Sequence, residues 1–284
     1  MLRKCVRLLA SVGLAALFSL APSPALAQGY LGPTLRTFAV LGGTTSTCTG
    51  ASVITGDVGV TPGPSITGFP APCTDVGTVR LPPDPLPATA QLELTAAYTT
   101  LAGLSCAATV GPDLAGLTLT QGVYCVGAAV SNLTGTLTLD GQGNPNAVWV
   151  FQMSSTLITS PGSTVLVTNG ANACGVEWQV SSSATIGTTT TFVGNILALT
   201  AITMNNGANL IGRVLARNAA VTLNNNTVSF AACGAGGGAG GTPPPFSPPA
   251  VPTLPEIGQW VLVLLLLGSG VYLVSRRTRA TSGH

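Results

Sequence analysis

A short motif, a threonine between two apolar residues, recurs along this 284-residue chain at intervals of about 18 to 20 residues. It occurs at residues 117–119, 137–139, 184–186, 202–204 and 221–223. Two other β-type segments, 192–194 and 196–198, return 18 residues later as 210–212 and 214–216. Three short strands in each repeat predict a mainly β fold, an irregular triangular β-solenoid whose stacked coils bury a narrow core. Residues 144–173 are less regular, so the number of coils stays open.

The motif also predicts a column of outward threonines. Side chains alternate along a strand, so the central threonine points out when its two neighbours point in. Stacked coils lie about 4.8 Å apart, which would repeat the threonine on one flat face. The predicted set is Thr118, Thr138, Thr185, Thr203 and Thr222, with Asn205 and Asn224 two residues further along their strands. Thr188 and Thr190 lie nearer a corner, and because threonine is common in exposed strands, a purely structural role stays open.

One segment, residues 87–103, has helical rather than β periodicity. Leu94, Ala97, Tyr98 and Leu101 follow the spacing of one helix face, prolines precede the segment, and Gly103 lies near its end. We expect this long helix to flank the solenoid. Residues 148–151 and 176–178, apolar on both sides of their strands, best fit the face that it covers, and the threonine face would stay bare.

Charged residues are rare, at 6% of the chain against about 25% in an average soluble protein. Residues 28–250 contain four arginines and seven acids, a balance of 4 − 7 = −3, so there is no basic patch for a nucleic acid. The acids are scattered singly, and the only histidine is His284, which argues against an enzyme. No C-x-x-C motif is present, so we expect neither a metal nor a cofactor. Arg213 and Arg217 are predicted to decorate the solenoid surface.

The N-terminal segment, residues 1–27, is typical of a secretory signal peptide. Basic residues at 3, 4 and 7 precede an apolar stretch at 8–20, and residues 25–27 form an A-x-A cleavage site. An uncleaved membrane anchor is the alternative, but the apolar stretch is short. We therefore expect residues 28–233 to form an exported solenoid domain.

The C-terminal end is predicted to contain a second targeting signal. Residues 234–250 are a Gly/Pro-rich linker, and the uncharged segment 257–274 is long enough to span a bilayer. Arginines follow it directly, which places the C-terminus in the cytoplasm. Residues 251–284, with Val-Pro-Thr-Leu at 251–254, resemble the bacterial IPTL-type sorting signal. The resemblance implies recognition and removal by a sorting protease, whereas an ordinary single-pass anchor is the alternative.

Six cysteines remain after removal of the signal peptide, and an even number in an oxidising compartment predicts disulfides. Sequence alone allows fifteen pairings. We predict the sequential one, 48–73, 106–125 and 174–233. The candidates are Cys48, Cys73, Cys106, Cys125, Cys174 and Cys233.

Across about residues 31–233 the chain resembles the DUF3494 ice-binding proteins, a microbial antifreeze family. The matching stretches include 53–63 (VITGDVGVTPG), 66–69 (ITGF), 122–124 (GVY), 191–198 (TFVGNILA) and 212–217 (GRVLAR). The resemblance implies an irregular β-solenoid with a flanking helix and adsorption to ice. The family's ice-contacting residues follow no fixed motif, so the resemblance does not assign them here.

Two functions from different classes fit these features. In the first, an exported protein adsorbs to ice through the threonine face and inhibits ice growth or recrystallisation. Stiff β-branched side chains carrying a methyl and a hydroxyl would hold water in a regular array, which charged side chains would disrupt. In the second, a non-enzymatic structural or adhesive protein of the cell surface uses the same solenoid. A polysaccharide lyase or hydrolase is disfavoured, because such chemistry needs clustered carboxylates.

Overall fold

The computed structural model describes residues 29–127 and 130–230, which all belong to the first of two units, residues 1–244. The predicted signal peptide, linker, sorting tail and membrane helix 257–274 lie outside the described residues. Within the described ranges, no helix is long and apolar enough to cross a membrane. These ranges form parallel β-sheets and one long helix, consistent with the predicted solenoid.

The strands wind around three faces, and every strand pair between coils is parallel. The helix face contains, in order of pairing, β8 (Ala108–Val110), β10 (Gly122–Val126), β13 (Trp149–Met153), β16 (Val176–Val180), the second halves of β18 (Thr191–Ala198) and β20 (Asn209–Ala216), β1 (Phe38–Gly42), β4 (Asp57–Val60) and β7 (Val79–Arg80). The threonine face contains β11 (Val130–Leu133), β14 (Thr156–Thr159), β17 (Ala184–Ile186), β19 (Ile202–Met204), β21 (Val221–Asn224), β2 (Thr45–Thr49) and β5 (Ser65–Thr67). The third face contains β9 (Thr118–Leu119), β12 (Thr136–Asp140), β15 (Thr164–Thr168), the first halves of β18 and β20, β22 (Thr227–Ser229), β3 (Val53–Thr55) and β6 (Thr74–Asp75).

Glycines let the chain turn from the third face onto the helix face without leaving the sheet. Gly194 and Gly212 lie in the middle of β18 and β20 with φ of 114° and 151°, and Gly56 between β3 and β4 has φ of 126°. A side chain at Gly212 would also meet the backbone of Gly194 in the coil below. The two long strands pair from Thr191 with Asn209 to Ala198 with Ala216, which confirms the predicted 18-residue repeat.

The coils do not stack in sequence order. The N-terminal strands β1, β2 and β3 pair with β20, β21 and β22 of the last coil, so the first coils extend its end of the stack. Helix α1 (Leu86–Ala102) then carries the chain to the opposite end, where β8 begins. Its 17 residues span about 25 Å, or roughly five coil spacings.

The solenoid interior is an aliphatic core with an aromatic stack through it. Tyr124, Phe151, Trp178 and Phe192 come from successive coils, with ring centroids 5.7, 4.2 and 4.8 Å apart. Phe151, Trp178 and Phe192 are completely buried. Composition alone, with 5% aromatic residues, suggests a core of Val, Ile, Leu and Ala. Four of the aromatic residues are instead stacked along one line of the interior.

A second apolar cluster holds α1 on the helix face. Leu94, Tyr98 and Leu101 of α1 belong to the same buried cluster as Val148 and Val150. The predicted helix 87–103 is therefore observed one residue earlier, against β13 and β16, which overlap the two segments predicted for it. Residues on the other side of β13, Trp149 and Phe151, belong to the solenoid core instead.

Two disulfides tie the coils together as predicted. Cys48 is bonded to Cys73 and Cys106 to Cys125, with Cα atoms 6.2 and 5.7 Å apart. Cys233 lies outside the described residues, so the pairing 174–233 stays a prediction.

Removing the first of these crosslinks should destabilise the end of the stack. The Cys48–Cys73 bond closes a segment with a sequence separation of 25, for which chain entropy gives about 3.5 kcal/mol. We expect the Cys48→Ala/Cys73→Ala variant to lose about that much free energy of unfolding in denaturant titration. Most of the difference should vanish when both proteins are reduced, and an unchanged midpoint under oxidising conditions would show that the bond contributes no stability.

Candidate functional site

The threonine face has a continuous central column of outward threonines. Thr185, Thr203, Thr222, Thr47 and Thr67 occupy equivalent positions on five successive strands and are directly paired from coil to coil. At the other end the column continues through less similar side chains, Ile158 and Asn132. The structure thus groups three of the predicted site residues, Thr185, Thr203 and Thr222.

The buried neighbours of these threonines fix their direction. In β19, Ile202 and Met204 are completely buried on either side of half-buried Thr203. The same pattern holds in β17 and β21. Because the flanking apolar side chains fill the core, the threonine has no alternative to facing solvent, and its β-branched side chain keeps few rotamers.

Short uncharged side chains surround the central column. Asn224 pairs with Thr49, and Asn205 follows β19 at the equivalent position, so both predicted asparagines flank the column. On the other side lie Thr45 and Ser65, which pair with each other. The seven strands of this face contain no Asp, Glu, Lys, Arg or aromatic residue. The face is therefore low in relief and carries no ionisable side chain of its own.

The threonine hydroxyls of this column are available to water. Among the described residues, none of the five has a hydrogen-bond partner in the protein. The helix threonines differ, since Thr95, Thr99 and Thr100 donate to carbonyl oxygens one turn earlier. Neighbouring threonines are about 4.8 Å apart across strands, and positions two residues apart along a strand are separated by about 6.7 Å. The face thus presents a regular grid of methyl and hydroxyl groups.

The expectation of one column for all five predicted threonines was wrong. Thr118 and Thr138 pair with each other on β9 and β12 of the third face, where Thr138 continues to Leu166 rather than to another threonine. The motif shows only that side chains alternate between inside and outside along a strand. This alternation is the same on every face of the solenoid. Thr190 is also excluded, because it is completely buried and its hydroxyl bonds that of Thr159 at 3.1 Å, while Thr188 is half-buried in the preceding turn.

Sequence reasoning missed Thr47 and Thr67, which complete the column. Thr47 lies between Ser46 and Cys48, and Thr67 precedes Gly68, so neither has two apolar neighbours. A motif that accepts serine, cysteine and glycine beside the threonine finds both. Thr47 lies beside Thr222, and Thr67 lies beside Thr47, because the N-terminal coils stack on the last one. No local sequence pattern reveals this stacking.

Arg213 was predicted on the solenoid surface but is buried, at 5% exposure. It forms a polar ladder on the helix face with Asn195 and Glu177, which are paired in register on successive coils. Asn195 donates to Glu177 Oε1 at 3.0 Å and accepts from Arg213 at 3.1 Å, and Arg213 also donates to the carbonyl of Arg36 at 2.9 Å. The guanidinium lies 4.0 Å from the ring centroid of Phe230. The ladder therefore holds the backbone at Arg36, just before β1, against the coils.

Burial perturbs both ends of this ladder. Desolvation raises the pKa of Glu177 to about 8, although its bond from Asn195 and the charge of Arg213 oppose the shift. Desolvation likewise lowers the pKa of Arg213 to about 10. Among the described residues, Glu177 Oε2 has no hydrogen-bond partner, so only one of its two oxygens is compensated for burial.

The shifted pKa predicts that stability depends on pH through Glu177. A carboxyl whose pKa rises from 4.5 to about 8 on folding favours the folded state fully below pH 4.5, and this contribution is lost as the pH rises through 8. The free energy of unfolding should therefore fall across that window in wild type and fall less in Glu177→Gln, which keeps an acceptor for Asn195. The same slope in both proteins, measured by denaturant titration at several pH values, would contradict the assignment.

Two other acids belong to a salt-bridged group around Arg80. Asp57 and Asp84 flank Arg80 at 2.6 and 2.9 Å, and the backbone of Leu86 donates to Asp84, so this group connects β4 and β7 to the start of α1. Among the described residues there is no group of three His, Cys, Asp or Glu that could hold a metal ion. The threonine face, with its regular uncharged surface, is therefore the candidate site that the structure presents most clearly.

Comparison with known proteins agrees with this geometry. The Ice-binding-like family model matches residues 40–229. An ice-binding protein of Nostoc sp. (strain HG1) is 50% identical over 200 residues, covering 70% of this chain and 73% of that protein. Among solved structures, an ice-binding protein from an Antarctic biological consortium aligns with a TM-score of 0.66 and 44% identity, covering 69% of this chain and 88% of that one. One from the ascomycete Antarctomyces psychrotrophicus aligns with a TM-score of 0.67 and 38% identity, covering 70% and 97%. The chain belongs to the Ice-binding-like family.

Proposed function

We propose that this chain is an exported, non-enzymatic protein that adsorbs to ice through its threonine face and inhibits ice growth or recrystallisation. The observation that carries the proposal is the unbroken column of Thr185, Thr203, Thr222, Thr47 and Thr67 on a face without charged residues. Ice is a periodic solid, so a surface that binds it must repeat along at least one direction. The solenoid supplies this repeat through the constant separation of its coils.

The rigidity of the threonine face also supports adsorption to ice. Strands β17, β19 and β21 are each paired on both sides, and the apolar side chains below them are at most 1% exposed. Little conformational freedom remains to be lost when water at the face becomes ordered, which lowers the entropic cost of binding. Each threonine carries both a methyl group and a hydroxyl, so ordered water at the face meets both apolar and hydrogen-bonding groups.

Export fits both the disulfides and the ends of the chain. The Cys48–Cys73 and Cys106–Cys125 bonds are typical of an oxidising compartment. Residues 1–27 provide the proposed signal peptide, and residues 251–284 the proposed sorting signal, through which the chain would meet the membrane and a sorting protease. Ice outside the cell is then the surface that the protein meets.

The test is the effect of the purified full chain on ice. We expect inhibition of recrystallisation and a measurable thermal hysteresis at micromolar protein. Unmodified ice growth at that concentration would overturn the proposal. Binding to glycans or to cells without any effect on ice would instead favour the adhesive function that the sequence leaves open.

A further inference from the structure

A second column of threonines lies beside the threonine face, across one corner of the solenoid. We call this the corner column: Thr164, Thr191, Asn209, Thr227, Val53 and Thr74, paired in register on the leading edge of the third face. All except Thr164 are exposed. Alternation again fixes their direction, because the next residues, including Phe192, Leu210 and Val228, are buried in the core.

The corner column, like the central column of the threonine face, consists mostly of threonines. Among the described residues, its threonine hydroxyls have no hydrogen-bond partner in the protein. Two residues further along β15 and β20 the outward side chains are Leu166 and Ile211, whereas β22 and β3 have Ser229 and Thr55 at that position. The corner column therefore continues the uncharged surface of the threonine face onto the third face.

The corner between the two faces is uncharged, and hydrogen bonds connect its turns from coil to coil. The turns 187–190, 205–208 and 225–226 contain only Gly, Ala, Thr and Asn. Asn225 donates to Asn206 Oδ1 at 2.7 Å, and buried Asn226 donates to the carbonyls of Asn205 and Ala208 at 2.9 Å each. These bonds hold the two columns at a fixed angle to each other.

We propose that the ice-contacting surface continues around this corner, so that the corner column binds a second crystal plane of ice. The inference rests on the proposed function and extends it from one plane to two. Two rigid, uncharged columns that repeat at the same coil spacing, about 4.8 Å, present the same chemistry in two directions. A growing ice crystal presents more than one plane, and the protein would engage whichever plane matches each column.

The test compares the ice planes bound by two double variants of the full chain, each fused to a fluorescent protein. Thr191→Arg/Thr227→Arg places two charges in the corner column. Thr99→Arg/Thr100→Arg places the same charges on exposed positions in the last turn of α1, where cations are favourable. Each fusion is adsorbed to a single-crystal ice hemisphere, and the fluorescent planes are mapped.

We expect wild type and the helix variant to label the same set of planes. The corner variant should label fewer planes and show several-fold lower thermal hysteresis, while keeping the wild-type unfolding midpoint. Should the arginines unfold the coils, Thr191→Gln/Thr227→Gln adds bulk without charge and should give the same loss of planes. A corner variant with the wild-type set of planes and full hysteresis would overturn the second plane alone. A wild-type protein that labels no ice would overturn both this inference and the proposed function.

Discussion

Replacing Thr203 with arginine should lower adsorption to ice by at least about tenfold, which corresponds to roughly 1.4 kcal/mol. Thr203 is the middle residue of the three threonines contributed by β17, β19 and β21, and it pairs with Thr185 on one side and Thr222 on the other. An arginine there would interrupt the column and place a hydrated charge on a face whose strands carry none. Ordered water could then not continue from coil to coil.

The measurement is thermal hysteresis and recrystallisation inhibition, with Thr138→Arg as the matched control. Thr138 has the same apolar-threonine-apolar context, but it lies on the third face beside Leu166. Because both side chains point out of the solenoid, each variant should keep its free energy of unfolding within about 0.5 kcal/mol of wild type. Loss of activity in Thr138→Arg with full activity in Thr203→Arg would place the ice-contacting face elsewhere.

Replacing Trp178 with alanine should cost about 3 to 5 kcal/mol of unfolding free energy, a large part of the roughly 5 to 15 kcal/mol that stabilises a typical domain. Trp178 is completely buried, and its ring lies between Phe151 and Phe192, with centroids 4.2 and 4.8 Å away. Its indole also donates to the carbonyl of Val193 at 2.9 Å. The variant would leave a cavity between two coils and a buried acceptor without its donor.

Denaturant titration of Trp178→Ala beside Trp178→Phe separates these contributions. Phenylalanine keeps an aromatic ring in the stack and loses the donated hydrogen bond, so it should cost clearly less than alanine. A loss of less than about 1 kcal/mol in the alanine variant would contradict the view that the aromatic stack holds the coils together. Because the residue is remote in chemistry and position from the threonine face, the folded fraction of the variant should still adsorb to ice.

Much of the fold follows from the sequence because each coil repeats the same local pattern. Residues 192–198 and 210–216 have similar side chains in the same order, and two such segments in one solenoid stack with that spacing. The helix was predictable for a similar reason, since its apolar positions follow a helical rather than a β period. Sequential pairing of the cysteines reflects the same locality, because each confirmed bond joins neighbouring segments of the chain.

The arrangement of the faces was harder to predict, because alternation has the same period on every strand. Nothing in Leu137-Thr138-Leu139 distinguishes it from Ile202-Thr203-Met204, although the two lie on different faces. Chain order was equally misleading for Thr47 and Thr67, which join the column only because the first coils stack on the last. A pattern within one strand contains no information about which distant strand lies beside it.

Arg213 illustrates a second limit of sequence reasoning. A lone arginine on a strand is most often exposed, and its burial here depends on partners from three distant segments. Asn195 and Glu177 continue its line on the preceding coils, Phe230 lies against the guanidinium, and the carbonyl of Arg36 accepts its hydrogen bonds. These partners become visible only once the register of the coils is known.

The most direct measurement is the partition of the purified protein between slowly growing ice and the remaining liquid. If the threonine face binds ice, wild-type protein should concentrate in the ice fraction and the Thr203→Arg variant should be enriched there at least about tenfold less. Exclusion of the wild-type protein from the ice would contradict ice binding itself. Equal enrichment of both proteins in the ice would contradict the assignment of adsorption to this face.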